Sequence, residues 1–404
     1  MELTKTKFKQ TEIGLIPEDW DLKNVGDCFK ICNNLRLPIS QEIRNSMQGI
    51  YPYYGPTKIQ DYINEYRVDG EYALIGEDGD HFLKWYTHSM TQLASGKFNV
   101  NNHAHLIKGN DKETTTAWFY YFFKNRDITQ FLTRQGAGRY KLSKVGLSNL
   151  PCAYPKIEEQ KAIAQVLSDT DNLIQTIEQK LTKKRDIKQG AMKKLLTPKE
   201  DWEVKTLRDL IEILADYTAN GSFESLKNNV QYYSDKNYAV LVRTTDLDKK
   251  KFEPARFTDK QGYDFLSKTS LKGGELILAN VGSIGKVFRV PYYNMPMTLA
   301  PNTYMIKFFK NYSQDFIYQW MLTNEFKSKL LSKVGSTTLL AINKDNLRDI
   351  EINVPKSLSE QSRIATILSD MDAEIEQLEQ KLSKYKLLKQ GLMQNLLTGK
   401  IRLI

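Results

Sequence analysis

The run Gly282-Ser283-Ile284-Gly285-Lys286 has the glycines and lysine of a phosphate-cradling loop. That chemistry also needs a glycine five residues before Gly285 and a Ser or Thr directly after the lysine, so that backbone N–H groups wrap the phosphates and a hydroxyl meets the metal. Asn280 and Val287 stand there, which removes the motif as a nucleotide site. His103-Ala104-His105, read as a strand, puts two imidazoles on one face, a beginning for zinc. With no nearby cysteine pair and no third ligand, two structural histidines are expected instead. Cys28 and Cys32 lack the second pair that a zinc knuckle requires. Glu77, Asp78 and Asp80 could hold magnesium for a nuclease, but no lysine stands at the expected spacing, and they read as turn residues. The Asn/Asp-Pro-Pro-aromatic turn of DNA amino-methyltransferases cannot form, because the chain contains no Pro-Pro, and no glycine-rich dinucleotide fingerprint is present. Neither a catalytic nor a metal constellation is predicted.

What remains is chemistry that recognises rather than reacts. Reading a base edge takes Arg, Lys, Asn or Gln, beside phosphate contacts that only position. Arg134-Gln135-Gly136-Ala137-Gly138-Arg139-Tyr140-Lys141 offers such donors on a glycine-softened turn. Its counterpart in the second half is Lys333-Val334-Gly335-Ser336-Thr337-Thr338, with Ser336 and Thr337 as the polar candidates. Tyr53, Tyr54 and Lys58 form an aromatic–basic cluster, for which a packed turn is the competing reading. Arg243 and Thr244 follow a strand-like run and could reach a base, and Lys286 could meet a phosphate. Lys249-Lys250-Lys251 reads as a solvated loop.

The net charge of +10 permits a nucleic-acid partner without demanding one. It is spread as +2 over residues 1–155, +4 over 156–199, +2 over 200–355 and +2 over 356–404, so no segment is a basic tail. No apolar run approaches the ~18 residues of a membrane span. The amino-terminal residues Met1 to Lys5 lack the apolar stretch of a secretory signal. Cys28, Cys32 and Cys152 cannot make a disulfide framework and suit a reducing cytoplasm, the compartment expected for the chain.

These candidates must be positioned by something, and the chain shows it as a duplication. Residues 159–199 lie over 360–400 without a gap, and 22 of the 41 pairs are identical. Asp19-Trp20, Gly70-Glu71 and Pro155-Lys156 in the first half answer to Asp201-Trp202, Gly274-Glu275 and Pro355-Lys356 in the second. Each shared block reads as a helix. In the second, Ile364, Leu368, Met371, Ile375, Leu378, Leu382 and Tyr385 recur in steps of four and three, the a/d seam of a coiled coil. The first offers Ile163, Leu167, Ile174, Ile177 and Leu181, interrupted at Thr170 and Lys184. A helix of roughly 40 residues is a rod of ~60 Å. Two seams in one chain pair most simply with each other; either orientation is reachable across the intervening globule, and antiparallel pairing would put the globules at opposite ends. In the globules, Tyr72–Ile75, Tyr238–Val242 and Leu276–Ala279 read as strands, Asp78-Gly79 as a turn, and Trp118–Lys124 and Phe316–Leu331 as helices. The expected class is α+β: globular domains over 1–155 and 199–355 separated by spacer helices over 156–198 and 356–404, the helices forming an antiparallel coiled coil.

The ordered marks resemble a known family, the specificity subunit of type I restriction–modification enzymes. They are Ile13-Gly14-Leu15-Ile16-Pro17-Glu18-Asp19-Trp20, Tyr53-Tyr54-Gly55-Pro56, Gly274-Glu275-Leu276-Ile277 and Gly282 to Lys286. Each helix also opens on the family's pattern of proline, Glu-Gln and Ile-Ala: Pro155, Glu159-Gln160, Ile163-Ala164, and Pro355, Glu360-Gln361, Ile364-Ala365. Leu396 to Lys400 gives the family's Leu-Leu-Thr-Gly-Lys, with Pro198 departing from it in the first copy where the second has Gly399. The resemblance spans essentially the whole chain. It implies two target-recognition domains reading the halves of a split, asymmetric site in double-stranded DNA, about one helical turn apart. It also implies helices that act as spacer and dock two methyltransferase subunits, with restriction subunits joining to complete the enzyme. By the same resemblance the chain is non-catalytic and holds no cofactor, S-adenosylmethionine, ATP and magnesium belonging to its partners. A coiled-coil scaffold carrying two protein-binding domains is the competing reading.

Overall fold

In the computed structural model the described residues are 6–135, 139–249, 251–334 and 341–403. The chain divides into two compact units, Met1–Gln179 with Glu379–Ile404, and Lys180–Leu378. Each unit is a mixed α/β head with part of two long helices, Ile157–Leu195 and Leu358–Leu396, of 39 residues each. Glu158 and Glu159 in the first turn and Lys193 and Lys194 in the last complement the dipole of the first long helix. The second copy ends differently. Gly399 takes a left-handed φ of 66°, which the fixed negative φ of Pro198 in the first copy forbids, so the two copies leave their helices by different turns.

The first head has an antiparallel sheet ordered Phe29–Ile31, Ala104–Gly109, Tyr72–Gly76, Thr91–Ala94. A second sheet is ordered Ile59–Ile63, Gln48–Tyr54, Lys97–Val100, Val68–Asp69, with one parallel pairing at its centre. The second head repeats the plan strand for strand. Its antiparallel sheet is Ile211–Asp216, Thr303–Phe308, Leu276–Ala279, Val287–Arg289. Its mixed sheet is Phe257–Thr258, Ala239–Val242, Met297–Leu299, Ser270–Leu271, again with the central pair parallel. In each head the strand that leads into the long helix, Pro151–Tyr154 or Glu351–Pro355, pairs with a strand that starts near the matched tryptophan. Trp20 packs edge-on against Trp118 at 5.5 Å and Trp202 against Phe316 at 5.7 Å, which explains the repeated Asp-Trp landmark.

The repeated Glu-Gln pair joins each long helix to its head. Gln160 is fully buried; its Oε1 accepts from the N–H of Thr115 at 3.0 Å, and its Nε2 donates to the carbonyls of Glu113 at 2.6 Å and Pro155 at 2.9 Å. Gln361 does the same with the N–H of Ser313 and the carbonyl of Pro355, both at 2.8 Å. Thr115 and Ser313 are the N-caps of the head helices Thr116–Phe123 and Gln314–Met321, so one glutamine ties two helix starts together. The preceding glutamate is also paired. Buried Glu159 accepts from Arg402, which holds Asp19 as well and keeps that carboxyl below its usual range. Glu360 meets Arg363 and Lys199, which hold its pKa at about 2.

Within each unit the long helices run antiparallel. In the first unit Asp171 meets Lys389 and Glu178 meets Lys386; in the second Lys184 meets Glu374 and Lys188 meets Asp372. The expected polar interruption at Lys184 is thus an ion pair across the helices. The predicted seam needs one correction. Ile163 and Leu167 enter the core of the first head beside Leu396 and Leu397, and Ile364 and Leu368 enter that of the second. Ile174, Ile177 and Leu181 are buried, and Ile375, Leu378, Leu382 and Tyr385 half-buried; Met371 packs at the edge of the second core. The helix expected over Phe316–Leu331 is two helices, Gln314–Met321 and Asn324–Ser332, because the Thr323 side chain caps the N–H of Phe326 and starts a new one.

Gln160→Ala should leave a buried N–H and two carbonyls unpaired, a loss of ~1–3 kcal/mol. Urea unfolding should show a clear destabilisation for Gln160→Ala and a similar one for Gln361→Ala; midpoints at the wild-type value would refute the role given to the pair.

Candidate nucleic-acid interface

Arg134 to Lys141 folds as a hairpin of strands Thr133–Gln135 and Arg139–Lys141, with Arg134 opposite Tyr140 and Gln135 opposite Arg139; residues 136–138 of its turn lie outside the described residues. Exposed Arg134 donates to the Tyr140 hydroxyl at 2.7 Å and lies 5.2 Å from its ring centre, which holds a long cationic side chain in one pose. The hairpin is seated on the loop after strand Tyr72–Gly76. The N–H of Gly79 donates to the Tyr140 carbonyl at 3.1 Å, and that of Leu142 to the Glu77 carbonyl at 2.7 Å.

Beneath it lies a network that the sequence reading set aside as turn residues and structural histidines. Glu77 accepts from Arg36 at 2.5 Å and faces Lys141 at 3.2 Å. Burial works to raise its carboxyl pKa, but Arg36 and Lys141 more than offset that and hold it below the usual range. Arg36 reaches on to the Asn102 carbonyl at 2.8 Å, and His103 Nδ1 lies 2.9 Å from Asp78 Oδ2. The two histidines do not share a strand face, as the sequence suggested. His103 is exposed and precedes the strand; His105 is 1% exposed, its Nε2 donating to the Leu142 carbonyl at 2.7 Å and its Nδ1 accepting from Asn33 at 2.8 Å. The Asn33 amide is oriented by the N–H of Leu106, so these contacts define the neutral ring protonated at Nε2. Among the described residues no cluster of three or more His, Cys, Asp or Glu could hold a metal ion. Sequence position gave one clue to the network: Glu77-Asp78 directly follows the buried strand of the sheet.

The second head keeps the frame and changes the contents. Tyr304 stands where His105 does and donates to the Ile342 carbonyl at 2.9 Å; Asn280 stands for Glu77, its carbonyl accepting from the N–H of Ile342 at 3.1 Å. Ser336 and Thr337 lie outside the described residues. Gly282 to Lys286 is a hairpin turn, with Gly282 and Gly285 at φ of 78° and 82°, and it leads into strand Val287–Arg289 rather than a helix. Lys286 pairs with Asp248 at 2.6 Å. Arg243 holds both carboxylate oxygens of fully buried Asp246, at 3.0 and 2.7 Å, a structural task; Thr244 is half-buried in the turn that follows. The aromatic–basic cluster is also revised. Tyr53 is 1% exposed, its hydroxyl taken by the Leu37 carbonyl and the N–H of Ile39; Tyr54 packs on Phe98, and Lys58 alone of the three is exposed. In the first unit the structure therefore brings Arg134, Tyr140 and Lys141 together over Arg36, Glu77, Asp78 and His103.

Comparison with known proteins fits this architecture. The family described as the type I restriction modification DNA specificity domain matches twice, over residues 17–184 and 199–385. The chain belongs to that family, the specificity subunits of type I restriction–modification systems, which are DNA-recognition components rather than catalysts. The MjaVIII specificity subunit of Methanocaldococcus jannaschii is 25% identical over 98% of this chain and 96% of its own length. The MjaIX specificity subunit of the same organism is 28% identical over 42% of each chain. A crystal structure of a type I system S subunit from M. genitalium shares the fold, with a TM-score of 0.63 and 14% identity over 97% of this chain and 99% of that one. No helix among the described residues is long and apolar enough to cross a membrane.

Burial lowers the proton affinity of His105 in the folded chain, outweighing the Leu142 carbonyl and Glu77, which favour the charged ring. The unfolded ring titrates near ~6.5. Its contribution is therefore complete above about pH 6.5 and shrinks as pH falls from there, because the unfolded chain takes up a proton that the folded one resists. His105→Tyr, which installs the second head's residue, should make the acid limb of stability shallower, by up to ~1.4 kcal/mol per pH unit. Urea titrations between about pH 7.5 and 5 read the difference; identical slopes would contradict the buried neutral ring.

Proposed function

We propose that each unit reads one half of a split, asymmetric target in duplex DNA, and that the long helices both space the two readers and dock methyltransferase subunits, two per chain, through which restriction subunits join. The carrying observation is one frame repeated strand for strand, with the N–H of Leu142 seated on the Glu77 carbonyl in one head and that of Ile342 on the Asn280 carbonyl in the other, but with different side chains around that seat: Glu77 and His105 in one, Asn280 and Tyr304 in the other. Two readers needing different bases would diverge in this way. Covalent linkage also lets two weak contacts act together, since binding of one raises the effective concentration of the other. S-adenosylmethionine, ATP and magnesium would serve the partner subunits. The relatives' names, as specificity subunits of restriction enzymes, support the same reading.

The reading is tested by expressing the chain with its methyltransferase subunit in a host and mapping methylated bases across the genome. The expected product is one motif in two parts with a fixed gap. Arg134→Ala with Arg139→Ala should relax or abolish one part while co-purification with the methyltransferase persists. A contiguous motif, or loss of co-purification with the motif intact, would overturn these roles.

A further inference from the structure

Each head carries a cleft at the same place in its fold, and the two clefts differ in chemistry. The first, of about 390 Å³, lies between the short helix Gln41–Ser46, capped by Ser40, and the connection Asn101–His103 that enters the strand Ala104–Gly109. The second, of about 730 Å³, lies between the helix Phe223–Asn229, capped by Ser222, and the connection Ala300–Asn302 that enters Thr303–Phe308. Both connections join the mixed sheet to the antiparallel one, and both clefts adjoin the loop or connection that contacts the hairpin network. In the first head Asp78 holds His103; in the second the carbonyl of Asn280 anchors Ile342, just after the segment that answers to the hairpin.

The first cleft is lined by hydrogen-bonding side chains. Ser40, Gln60, Asn101, Asn102 and His103 contribute, with Arg44 held 4.8 Å from the Tyr53 ring centre. Asn101 is fixed by Gln60 at 2.9 Å and by the N–H of His103 at 2.9 Å, which leaves Asn102 and His103 exposed on a braced turn. The second cleft is walled by Tyr217, Phe223 and Tyr232, with the two tyrosine hydroxyls 2.9 Å apart. Phe223 is 80% exposed at the first position of its helix, while Leu226 one turn later is core. A phenylalanine that exposed gains little from folding, yet it stands on the rim of the aromatic-lined cleft of that head. Asn280 on the same cleft has a buried Oδ1 with no partner among the described residues.

We propose that Phe223 and Tyr232 are specificity-determining residues of the second head, and that they discriminate by apolar contact with the base presented at this cleft, a thymine methyl being the group that such contact selects in the major groove. On the first head's cleft, Asn102 and His103, which stand on the connection rather than on the helix side, discriminate by hydrogen bonds to a base edge. The proposal rests on the reading of each unit as a DNA reader.

The test uses the full chain with its methyltransferase subunit and maps methylated motifs for wild type, Phe223→Ala, Phe223→Leu and Asn102→Ala with His103→Ala. Phe223→Ala should lose about tenfold or more of its preference at one position, in one half of the motif, with the other half unchanged. Phe223→Leu, which keeps an apolar contact, should retain most of that preference. The Asn102 and His103 variant should relax the opposite half. An unchanged motif in Phe223→Ala overturns the proposal, as does relaxation of both halves. If Phe223→Ala abolishes methylation outright, Phe223→Leu must restore the wild-type motif, and its failure to do so also overturns it. A wild-type chain that directs no split motif would instead refute the underlying reading of the units, a distinguishable result.

Discussion

A half-buried aspartate in each unit decides where the long helices can lie. Asp171 accepts from Lys389 of the other long helix and, at 3.3 Å, from the Tyr121 hydroxyl of the head helix. Asp372 accepts from Lys188 and, at 3.0 Å, from Gln319 Nε2 of the other head helix. Burial and Lys124 pull the Lys389 ammonium below its usual range against the opposing pull of Asp171, so the node is sequestered enough to matter. A pair in such a place is costly to break, because removing one partner strands the other charge. Asp171 and Asp372 occupy one position of the duplicated block, and Lys188 and Lys389 another. Each aspartate takes the lysine of the opposite copy. That reciprocity is met by antiparallel helices and by no parallel register.

The duplication made the helices and the tryptophan landmarks legible, because repetition and a 3.5-residue period are properties of sequence alone. It could not show that the first seam positions of each helix change allegiance. Ile163, Leu167, Ile364 and Leu368 have the side chains of a coiled coil, but the Gln160 and Gln361 anchors draw those first turns into the head cores. The break at Thr323 was hidden for a related reason: a threonine inside an apolar-periodic run reads as helix until its hydroxyl finds an N–H to cap.

The candidate site was legible in outline only. The Arg134 hairpin follows from its residue types, whereas Arg36, Glu77, His103 and His105 come together from segments far apart in the chain, which no local pattern encodes. Tyr53 and Arg243 show that an aromatic or a guanidinium suited to DNA is equally suited to a buried hydroxyl bond or a buried aspartate. The frame is held by backbone pairing and buried repeats, so its rim can change from hydrogen-bonding to aromatic without loss of fold.

Zero-length coupling of lysines to carboxylates, read by mass spectrometry on the monomeric protein, tests the helix arrangement most directly. The antiparallel arrangement predicts links of Lys389 to Asp171 and of Lys188 to Asp372. Links of Lys389 to Asp186 in place of Asp171 would mean parallel helices and contradict the account.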